Sequence, residues 1–421
     1  MPWPTKKLGE VCKIIGGGTP STANFLYWGN DYFWVTPKDL GRLGTIEISH
    51  TERKISKAGL ENSSTKLLPV GSVILSTRAP IGYVVINSVE VATNQGCRSF
   101  ICSKEIFNRY LYHFLKLNTG YLNSLGSGST FREVSGSRLK EIQIPLPPLG
   151  EQRKIVGKIE KLFAKIDEAS RLRAESSTAS AALLPSALHQ IFSSASSSQP
   201  PHQKHSTILQ NVGMSQTKQK VWEEKKIGEI AEINPSKREI AEINADTEIS
   251  FVPMSAVNEK TQSIERQETR KIDEVKKGYT YFREDDVLFA KITPCMENGK
   301  VTIAKNLKNG VGFGSTEFHV LRAKENVLSK WLFYFLWNPE FREEAQNNMT
   351  GTAGQRRVPM EFLAKVKIPL PPVAEQKKIV EYLDALSQKT RQLQEHQKST
   401  ASDLVALKQS VLHNAFSREF V

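Results

Sequence analysis

Several kinds of chemistry are missing from this sequence, and each absence narrows the classes of function open to it. The four cysteines, Cys12, Cys97, Cys102 and Cys295, form no C-x-x-C pair and do not cluster with the eight histidines. A structural zinc site is therefore not expected. No stretch of about 18 apolar residues occurs, and the opening M-P-W-P-T-K-K lacks the apolar core of a signal peptide. We expect a soluble, cytoplasmic protein that binds no metal.

Catalytic motifs are also missing. The sequence contains no G-x-x-x-x-G-K-[ST] phosphate loop and no methyltransferase cofactor loop after a strand. The segment N-P-S-K at Asn234 superficially resembles the N-P-P-Y tetrad of adenine methyltransferases, but it lacks the second proline and the aromatic residue that stacks on a flipped base. Asp285 and Asp286 are not followed by the E-x-K pattern of metal-dependent nucleases. The sequence therefore predicts no catalytic site and no bound cofactor.

Negative charge is scarce relative to positive charge. The 57 lysines and arginines against 44 acidic residues give a net charge of +13 and a pI near 9.4. Such a balance favours an anionic partner through counterion release and electrostatic steering. Charge alone leaves an ordinary basic soluble protein as an alternative.

What the sequence does contain is a long internal repeat. The segment IQIPLPPLGEQRKIV, from Ile142 to Val156, returns as VKIPLPPVAEQKKIV from Val366 to Val380. At the same offset, LHQIFS at Leu188 matches LHNAFS at Leu412. A unit of roughly 220 residues is far longer than the ~20–50 residues of solenoid repeats, so it represents a duplicated domain followed by a helix. Such a pseudo-twofold, positively charged protein suits a two-part target, and double-stranded DNA is the commonest.

Further segments recur once in each half. They are an opening W-x-x-K-K-[LI]-G-E, an aromatic-rich helix and a Gly/Ser/Thr loop that carries arginine. In the two halves they lie at 3–10 and 222–229, at 110–115 and 331–336, and at 126–132 and 351–357. Between them, short β-branched runs alternate with turn residues, which predicts a mixed α+β domain of about 150 residues in each half.

A long helix should follow each domain, because the prolines of I-P-L-P-P end the last strand. Apolar residues then recur every three or four positions, which is typical of a coiled-coil seam. The second seam contains Ile379, Leu383, Leu386, Thr390, Leu393, Gln397, Thr400, Leu404, Leu407 and Val411. Burial in one globular core is the alternative, but the polar seam residues favour a narrow contact between two helices. Pro185 should kink the first helix.

The predicted fold class is α+β, with two mixed α/β domains in a pseudo-twofold arrangement joined by two long antiparallel coiled-coil helices. A Ser/Pro/Gln-rich stretch between the halves is expected to be a flexible linker. The predicted boundaries are 1–150 for the first domain, 151–193 for the first long helix, 194–221 for the linker, 222–373 for the second domain and 374–421 for the second long helix.

Taken together, these features resemble the specificity subunit of type I restriction–modification enzymes. Two variable basic domains are each followed by I-P-L-P-P-x-x-E-Q and a long helix. The opening is similar as well, with G-G-G-T-P-S at Gly16, W-V-T-P-K-D at Trp34 and S-T-R-A-P-I-G at Ser76. The resemblance covers nearly the whole chain. The second half departs from it where Ala256-Val257 replaces Lys38-Asp39, as expected if the two halves read different sequences.

The resemblance implies that each domain is a target recognition domain that reads one part of a bipartite DNA site. The chain would direct adenine methylation and DNA cleavage by partner subunits and would be non-catalytic alone. Two modification subunits would bind it, restriction/translocase subunits would join through the complex, and S-adenosylmethionine, ATP and Mg would sit on those partners. The alternatives are the specificity partner of a fused restriction–methylation enzyme, a coiled-coil scaffold with no DNA role, and an enzyme in its own right.

Candidate DNA-contacting residues follow from placing polar loops of each domain in the major groove, where arginine suits guanine and glutamine suits adenine. Half-sites on one DNA face lie about 34 Å apart, a separation that a long helix pair can hold. Phosphate contacts, solvated surface positions and plain turns are the alternatives for these residues. The candidates are Gly17, Thr19, Lys38, Thr77, Arg78, Thr130 and Arg132 in the first half and Ser255, Lys291, Thr293, Gln355, Arg356 and Arg357 in the second. The candidates for binding the modification subunits are Glu151, Gln152, Glu375 and Gln376.

Overall fold

The structure is a computed structural model that describes residues 3–78, 80–127, 132–193, 222–352 and 354–417. It contains two compact units. Unit one comprises Met1–Ala174 and Lys398–Val421, and unit two comprises Glu175–Gln397. The stretch 194–221, predicted to be a linker, lies outside the described residues.

Unit one combines short strands and short helices with one end of each long helix. Its strands are β1 (Thr5–Lys7), β2 (Cys12–Gly16), β3 (Trp28–Val35), β4 (Glu47–Ile48), β5 (Lys54–Ile55), β6 (Val73–Ser76), β7 (Val84–Asn87), β8 (Val91–Thr93), β9 (Cys97–Cys102) and β10 (Gln143–Pro145). Its helices are α1 (Leu8–Val11), α2 (Pro37–Arg42), α3 (Lys57–Glu61), α4 (Asn108–Leu117), α5 (Thr119–Ser124), α6 (Gly136–Glu141) and the start of α7 (Leu149–Ser193). A 3-10 turn covers Phe25–Tyr27.

Unit two has the same kinds of element in a similar order. Its strands are β11 (Glu223–Lys226), β12 (Ala231–Ile233), β13 (Glu248–Val252), β14 (Glu268–Lys271), β15 (Thr280–Arg283), β16 (Val287–Ala290), β17 (Val301–Ile303), β18 (Val311–Gly314), β19 (Phe318–Ala323) and β20 (Lys367–Leu370). Its helices are α8 (Ile227–Ile230), α9 (Ile272–Val275), α10 (Ser329–Trp337), α11 (Pro339–Asn347), α12 (Met360–Lys365) and the start of α13 (Val373–Ser417). Its 3-10 turns are Lys237–Ile240, Met254–Ala256 and Lys308–Gly310.

In the part of the chain that the structure describes, each unit contains two sheets and one two-stranded pair, but the sheets have five and three strands in unit one and four each in unit two. Among the described residues, unit one has the sheets β2-β9-β6-β7-β4 and β5-β3-β8 and the pair β1-β10. The described part of unit two has β12-β19-β16-β17, β14-β13-β18-β15 and the pair β11-β20. Each unit contains a parallel pair, β3 with β8 and β13 with β18, and unit one contains a second, β4 with β7; the other strand pairs of the described residues are antiparallel. Two mixed domains with two long helices confirm the predicted α+β class.

The repeated opening motif pairs with the repeated I-P-L-P-P segment of the same unit. Lys6 lies opposite Ile144, and Lys225 lies opposite Ile368. The glutamate of the opening motif caps the short helix that follows, because Glu10 accepts the backbone N–H of Lys7 at 2.7 Å and Glu229 does the same for Lys226 (3.0 Å). These two recurrent segments therefore form one structural joint in each unit.

The aromatic helices α4 and α10 anchor that joint. The hydroxyl of Tyr110 donates to the carbonyl of Pro145 at 2.9 Å, and the indole N–H of Trp331 donates to the carbonyl of Pro369 at 3.0 Å. Both rings are buried, so each donor needs a partner. The carbonyl of the first proline in I-P-L-P-P supplies it in both units.

Each aromatic helix is covered by the end of the long helix that started in the other half of the sequence. In unit one, Phe416 lies 4.9 Å from Tyr110 and 5.6 Å from Phe114, measured between ring centroids. In unit two, Phe192 lies 4.8 Å from Trp331 and 5.4 Å from Phe335. The repeated L-H-x-x-F-S motif is thus a docking segment: each unit contains the start of one long helix and the end of the other.

The long helices are continuous, and their contact is more polar than a leucine seam. Helix α7 passes through Pro185 as a single 45-residue helix. In unit two, Gln397 of α13 donates from Nε2 to Ser176 at 3.0 Å and accepts from Ser180 at 3.2 Å. The predicted seam residue Leu393 is 41% exposed. A glutamine bonded to short serine side chains occupies this part of the contact, and such polar pairs specify register.

None of the helices in the described part of the chain is long and apolar enough to span a membrane.

Removing the ring of Phe416 should destabilise unit one. Phe416→Ala deletes a ring that is 9% exposed and packed on two aromatic residues, so we expect the free energy of unfolding to fall by about 3 kcal/mol. Phe25→Ala is the matched control, because Phe25 is 78% exposed and its loss should change stability by less than about 0.5 kcal/mol. Denaturant unfolding measures both, and equal effects would contradict the docking role of Phe416.

Candidate nucleic-acid interface

Two corresponding hairpin loops stand at the same place in the two units. In unit one, Ser127 and Glu133 exchange backbone hydrogen bonds of 3.1 and 3.0 Å and close a loop. In unit two, Thr350 and Arg357 do the same at 3.0 and 2.8 Å. The backbone N–H after each closing pair, of Val134 and Val358, donates to the carbonyl of Thr77 and Lys291 respectively. The loops with arginine noted in the sequence are therefore held against the strand ends that follow β6 and β16.

The loop of unit one rests on a cluster of charged side chains. Arg78 Nε lies 2.8 Å from one oxygen of Glu133, and Arg98 Nη2 lies 3.3 Å from the other. Arg98 also donates to the backbone carbonyl of Gln95 at 3.3 Å, and the side chain of Gln95 is hydrogen-bonded to Thr19. A continuous polar surface therefore runs from Thr19 through Gln95 to the base of the hairpin.

In unit two the corresponding contact is a bidentate ion pair. Arg357 donates from Nε and Nη2 to the two oxygens of Glu317, at 2.9 and 2.8 Å. This hydrogen bonding lowers the pKa of Glu317 below its usual value, so the carboxylate is ionised at neutral pH. The backbone N–H of Lys291 donates to the carbonyl of Glu317 at 2.9 Å, and partial burial lowers the pKa of the Lys291 ammonium.

Loop residues differ in how far they are free to meet a ligand. Arg132 and Gln355 are exposed, and within the described residues no hydrogen bond of either side chain is found. Arg356 is committed to the protein, because its Nη2 donates to the carbonyls of Gln346 at 2.9 Å and Met349 at 3.2 Å. Thr130 lies outside the described residues.

The remaining candidates are likewise either exposed or bonded within the protein. Lys38 and Ser255 are exposed, and Lys38 lies 4.0 Å from a carboxylate oxygen of Glu52. The hydroxyl of Thr293 donates to the carboxylate of Glu297. Thr77 is fully buried, and its hydroxyl donates to the carbonyl of Gly96 at 3.3 Å. In this structure Thr77 therefore orients the strand end beneath the loop and presents no surface to a ligand.

Gly17, predicted to contact DNA, and its neighbour Gly18 pack closely against other parts of the protein. A Cβ on Gly17 would lie 1.9 Å from the carbonyl oxygen of Asn94, and one on Gly18 would lie 2.3 Å from the hydroxyl of Ser64. The N–H of Gly18 donates to the carbonyl of Thr93 at 2.9 Å. These glycines allow close packing and thereby fix the position of the exposed Thr19.

The two glutamines predicted to bind partner subunits are completely buried. Gln152 accepts from the N–H of Phe107 at 2.8 Å and donates to the carbonyls of Glu105 and Pro147 at 2.9 and 2.8 Å. It therefore joins the start of α7 to the start of α4 and cannot touch a partner in this structure.

Gln376 repeats this arrangement in unit two. It accepts from Leu328 at 2.9 Å and donates to the carbonyls of Asn326 and Pro371 at 2.9 and 2.8 Å. Of the glutamates before these glutamines, Glu375 accepts the indole N–H of Trp222 at 3.0 Å, and Glu151 is half-buried. The E-Q repeat thus has a structural role. Its exposed neighbours are Arg153, Lys154, Lys377 and Lys378.

Sequence reasoning missed several members of this surface. Gln95, Arg98, Glu133 and Glu317 were not singled out, because they stand outside the repeated motifs. A signal existed for one of them: Glu133 directly follows Arg132 and aligns with the candidate Arg357 when the repeats are superimposed. The pairing of β9 with β6, which brings Arg98 beside the loop base, is a long-range contact that the sequence alone does not reveal.

The described polar residues can donate hydrogen bonds to phosphate oxygens and base edges through guanidinium, ammonium, amide and hydroxyl groups. Within the described ranges, no group of three or more His, Cys, Asp or Glu residues is arranged to hold a metal ion. A donor surface of this kind is present on each of the two duplicated α+β units. The model of the type I restriction modification DNA specificity domain matches residues 1–175 and 219–401, and the chain belongs to this family.

Individual relatives agree with this assignment. The chain is 43% identical over 155 residues to the type I restriction enzyme MjaIX specificity subunit of Methanocaldococcus jannaschii, which covers 36% of each protein. It is 46% identical over 162 residues to the EcoEI specificity subunit of Escherichia coli, and the matched segment covers 38% of this chain and 26% of that one. The matches thus span about a third or less of those relatives' lengths. The StySPI specificity subunit of Salmonella potsdam is 22% identical over 99% of this chain and 89% of its own.

Solved structures share the fold. The HsdS subunit of Thermoanaerobacter tengcongensis has a TM-score of 0.62 at 22% identity and covers 99% of this chain and 96% of that one. A chain from a structure of complex assembly and conformational transition in a type I R-M system has a TM-score of 0.68 at 22% identity, with coverage of 99% and 97%.

Replacing Gln376 by alanine should lower the stability of the fold rather than remove a contact with a partner subunit. The change removes three hydrogen bonds and leaves the buried N–H of Leu328 without an acceptor, so we expect a loss of about 1–3 kcal/mol in the free energy of unfolding. Gln388→Ala on the same helix is the control, because Gln388 is exposed. Thermal and denaturant unfolding measure the difference. A Gln376→Ala chain of unchanged stability that no longer binds a modification subunit would instead support the original partner-binding role.

Proposed function

We propose that this chain is the DNA-reading specificity subunit of a type I restriction–modification complex. Each unit reads one part of a bipartite site, and the chain directs adenine methylation and cleavage that partner subunits carry out. The chain performs no catalysis itself and binds no cofactor. S-adenosylmethionine, ATP and Mg belong to the partners, and the complex acts on DNA in the cytoplasm.

One observation carries this proposal: the two units differ at their loops but share the joint of opening motif, aromatic helix and buried glutamine, which we call the frame. The joint of opening motif, aromatic helix and buried glutamine recurs bond for bond, with Gln152 and Gln376 making the same three contacts. On that common frame, the loops differ in length and sequence: five residues separate Ser127 from Glu133 and six separate Thr350 from Arg357, and their exposed side chains include Arg132 in one unit and Gln355 in the other. Different donors on the same support are what two readers of different base sequences require.

Among the candidates, we assign base reading to the exposed side chains with free donors. Arg132 and Gln355 are the leading ones, since arginine pairs with guanine and glutamine with adenine in the major groove. Thr19, Lys38 and Ser255 are exposed and supply further contacts to bases or phosphates. Thr77, Arg356 and Gly17 support the loops from within the protein, and Thr130 stays a prediction.

The partner surface is assigned to the exposed part of the repeated motif. With Gln152 and Gln376 buried, the side chains that recur outside the frame are the basic pairs Arg153-Lys154 and Lys377-Lys378. Arg153 is held over the ring of Phe107 at 4.5 Å, which orders its long side chain. Each pair would meet one modification subunit, and restriction/translocase subunits would join through the complex.

Replacing Arg132 by alanine should relax the reading of one half-site. If Arg132 contacts a base edge, discrimination at its position should fall by about 1–3 kcal/mol, with base preference in the other half-site unchanged. Gln355→Ala is the reciprocal variant and should affect only the second half-site. Methylation by the assembled complex of DNA libraries randomised in each half-site measures both effects.

Two other outcomes of that experiment are informative. If Arg132 contacts only phosphate, binding to all sequences weakens alike and the salt slope falls by about one. If either substitution changes base preference in both half-sites, then the two units do not read separately and the proposal is wrong.

The repeated basic pairs predict two modification subunits for each specificity chain. Reversing one pair, by Lys377→Glu with Lys378→Glu, should leave a complex with a single modification subunit, because the other pair is untouched. The masses of the purified complexes measure the stoichiometry. A wild-type complex with one modification subunit per chain would contradict this assignment.

A further inference from the structure

The residue that closes each recognition loop has the opposite charge in the two units. Glu133 and Arg357 occupy the same position: each is the second member of a backbone pair, with Ser127 and with Thr350. Each is also bridged to the second residue after a strand end, Arg78 after β6 and Ile292 after β16. The frame is thus equivalent, and the charge placed on it is reversed.

The partners of these residues are reversed as well. In unit one the carboxylate of Glu133 is shared by Arg78 and Arg98, at 2.8 and 3.3 Å. In unit two the guanidinium of Arg357 is held by Glu317 through two hydrogen bonds. Both clusters are partly shielded, since the side chains of Glu133 and Glu317 are 27% and 23% exposed. Charge-assisted hydrogen bonds of this kind are short, directional and stronger than neutral ones.

We propose that Glu133 and Glu317 are positioning residues that clamp the bases of the two recognition loops through ion pairs of opposite polarity. A loop transferred to the other unit would then lose its ion pair unless the residue that pairs with it is transferred as well. This inference rests on the proposed function, because it assigns loop orientation to sequence reading. Neither glutamate contacts a base. Each acts through the loop whose base it fixes.

The geometry explains why the clamp affects reading. In unit two the residues directly before Arg357 are Arg356 and Gln355, and Arg357 Nη1 donates to the carbonyl of Gln355 at 3.0 Å. The orientation of Gln355 therefore depends on the guanidinium that Glu317 holds. In unit one, Arg132 directly precedes Glu133. A base contact needs its donor in place to within a fraction of an ångström, and locking the neighbouring residue provides this.

Loop exchange should fail for the same reason. A loop of unit one placed on unit two would put Glu133 in the place of Arg357, so that Glu317 would lose its cation and face a second carboxylate, which repels it. The reverse exchange would bring Arg357 against Arg78 and Arg98, three guanidinium groups without a carboxylate. Exchanging the partner residues together with the loop restores attraction in both cases.

A charge-swap cycle in unit two tests the clamp. Arg357→Glu and Glu317→Arg are made singly and together and assembled with wild-type partner subunits. Each single variant should lose about tenfold or more in discrimination at the second half-site, and the double variant should recover most of it. The amide hydrogens of Thr350 and Arg357 should exchange faster in the single variants and return towards the wild-type rate in the double variant. Discrimination at the first half-site should not change.

A second ion pair serves as the matched control. Lys271 and Asp246 pair at 2.8 Å on the surface of unit two, away from the loop, and their single and double reversals should alter neither readout. Poor folding of a single variant would appear in its melting curve and in all amides, whereas loss of the clamp affects the loop amides alone.

The outcomes separate the clamp from the proposed function. If the single variants bind all sequences more weakly but discriminate as well as the wild type, or if the folded double variant is not rescued, the clamp is overturned and the proposed function stands. If the wild-type complex itself shows no sequence preference, the proposed function fails and the clamp fails with it. Rescue of both readouts supports the clamp.

Discussion

Everything that this chain presents to a ligand depends on a buried glutamine at the start of each long helix. Gln152 and Gln376 each satisfy one backbone N–H and two carbonyls with a single side chain. An unpaired buried amide costs much more than a hydrogen bond gains, so the side chain, the strand end and the aromatic helix must adopt one geometry together. The start of the long helix, the I-P-L-P-P strand and the domain are thereby fixed as one body in each unit.

The second constraint is that the end of each long helix packs on the aromatic helix of the unit in which it ends. Phe192 and Phe416 cover the aromatic rings of α10 and α4, and both are largely buried. An acidic residue about two turns after the glutamine adds a polar contact to the same helices. Glu160 accepts from Arg109 at 2.7 Å, and Asp384 accepts from Tyr334 at 2.7 Å. A domain severed from the end of the opposite helix would expose its aromatic face.

The frame could be predicted from the sequence, and the loop chemistry could not. The repeat, the α+β class and the two long helices followed from I-P-L-P-P-x-x-E-Q and from apolar spacing, which are local signals. The role of Gln376 did not, because its three partners lie at 326, 328 and 371, and a polar residue beside exposed lysines suggests a surface position. Arg98 and Glu317 were missed for a similar reason, since strand pairing, and not spacing in the sequence, brings them to the loop base.

Because the frame and the loops are separate, substitutions in the loops affect folding stability differently from one position to another. The frame derives its stability from buried rings and from hydrogen-bonded polar groups such as Gln152 and Gln376, none of which involves an exposed loop residue such as Arg132 or Gln355. Substitutions at those exposed positions therefore cost little folding energy. The positions directly beneath them are different, because Glu133 and Arg357 are bonded both to the loop and to charged partners on neighbouring strands. Substitutions that change what the protein reads therefore cost little folding free energy at the exposed loop positions. At the loop base, a change of charge requires a matching change of charge on the neighbouring strand.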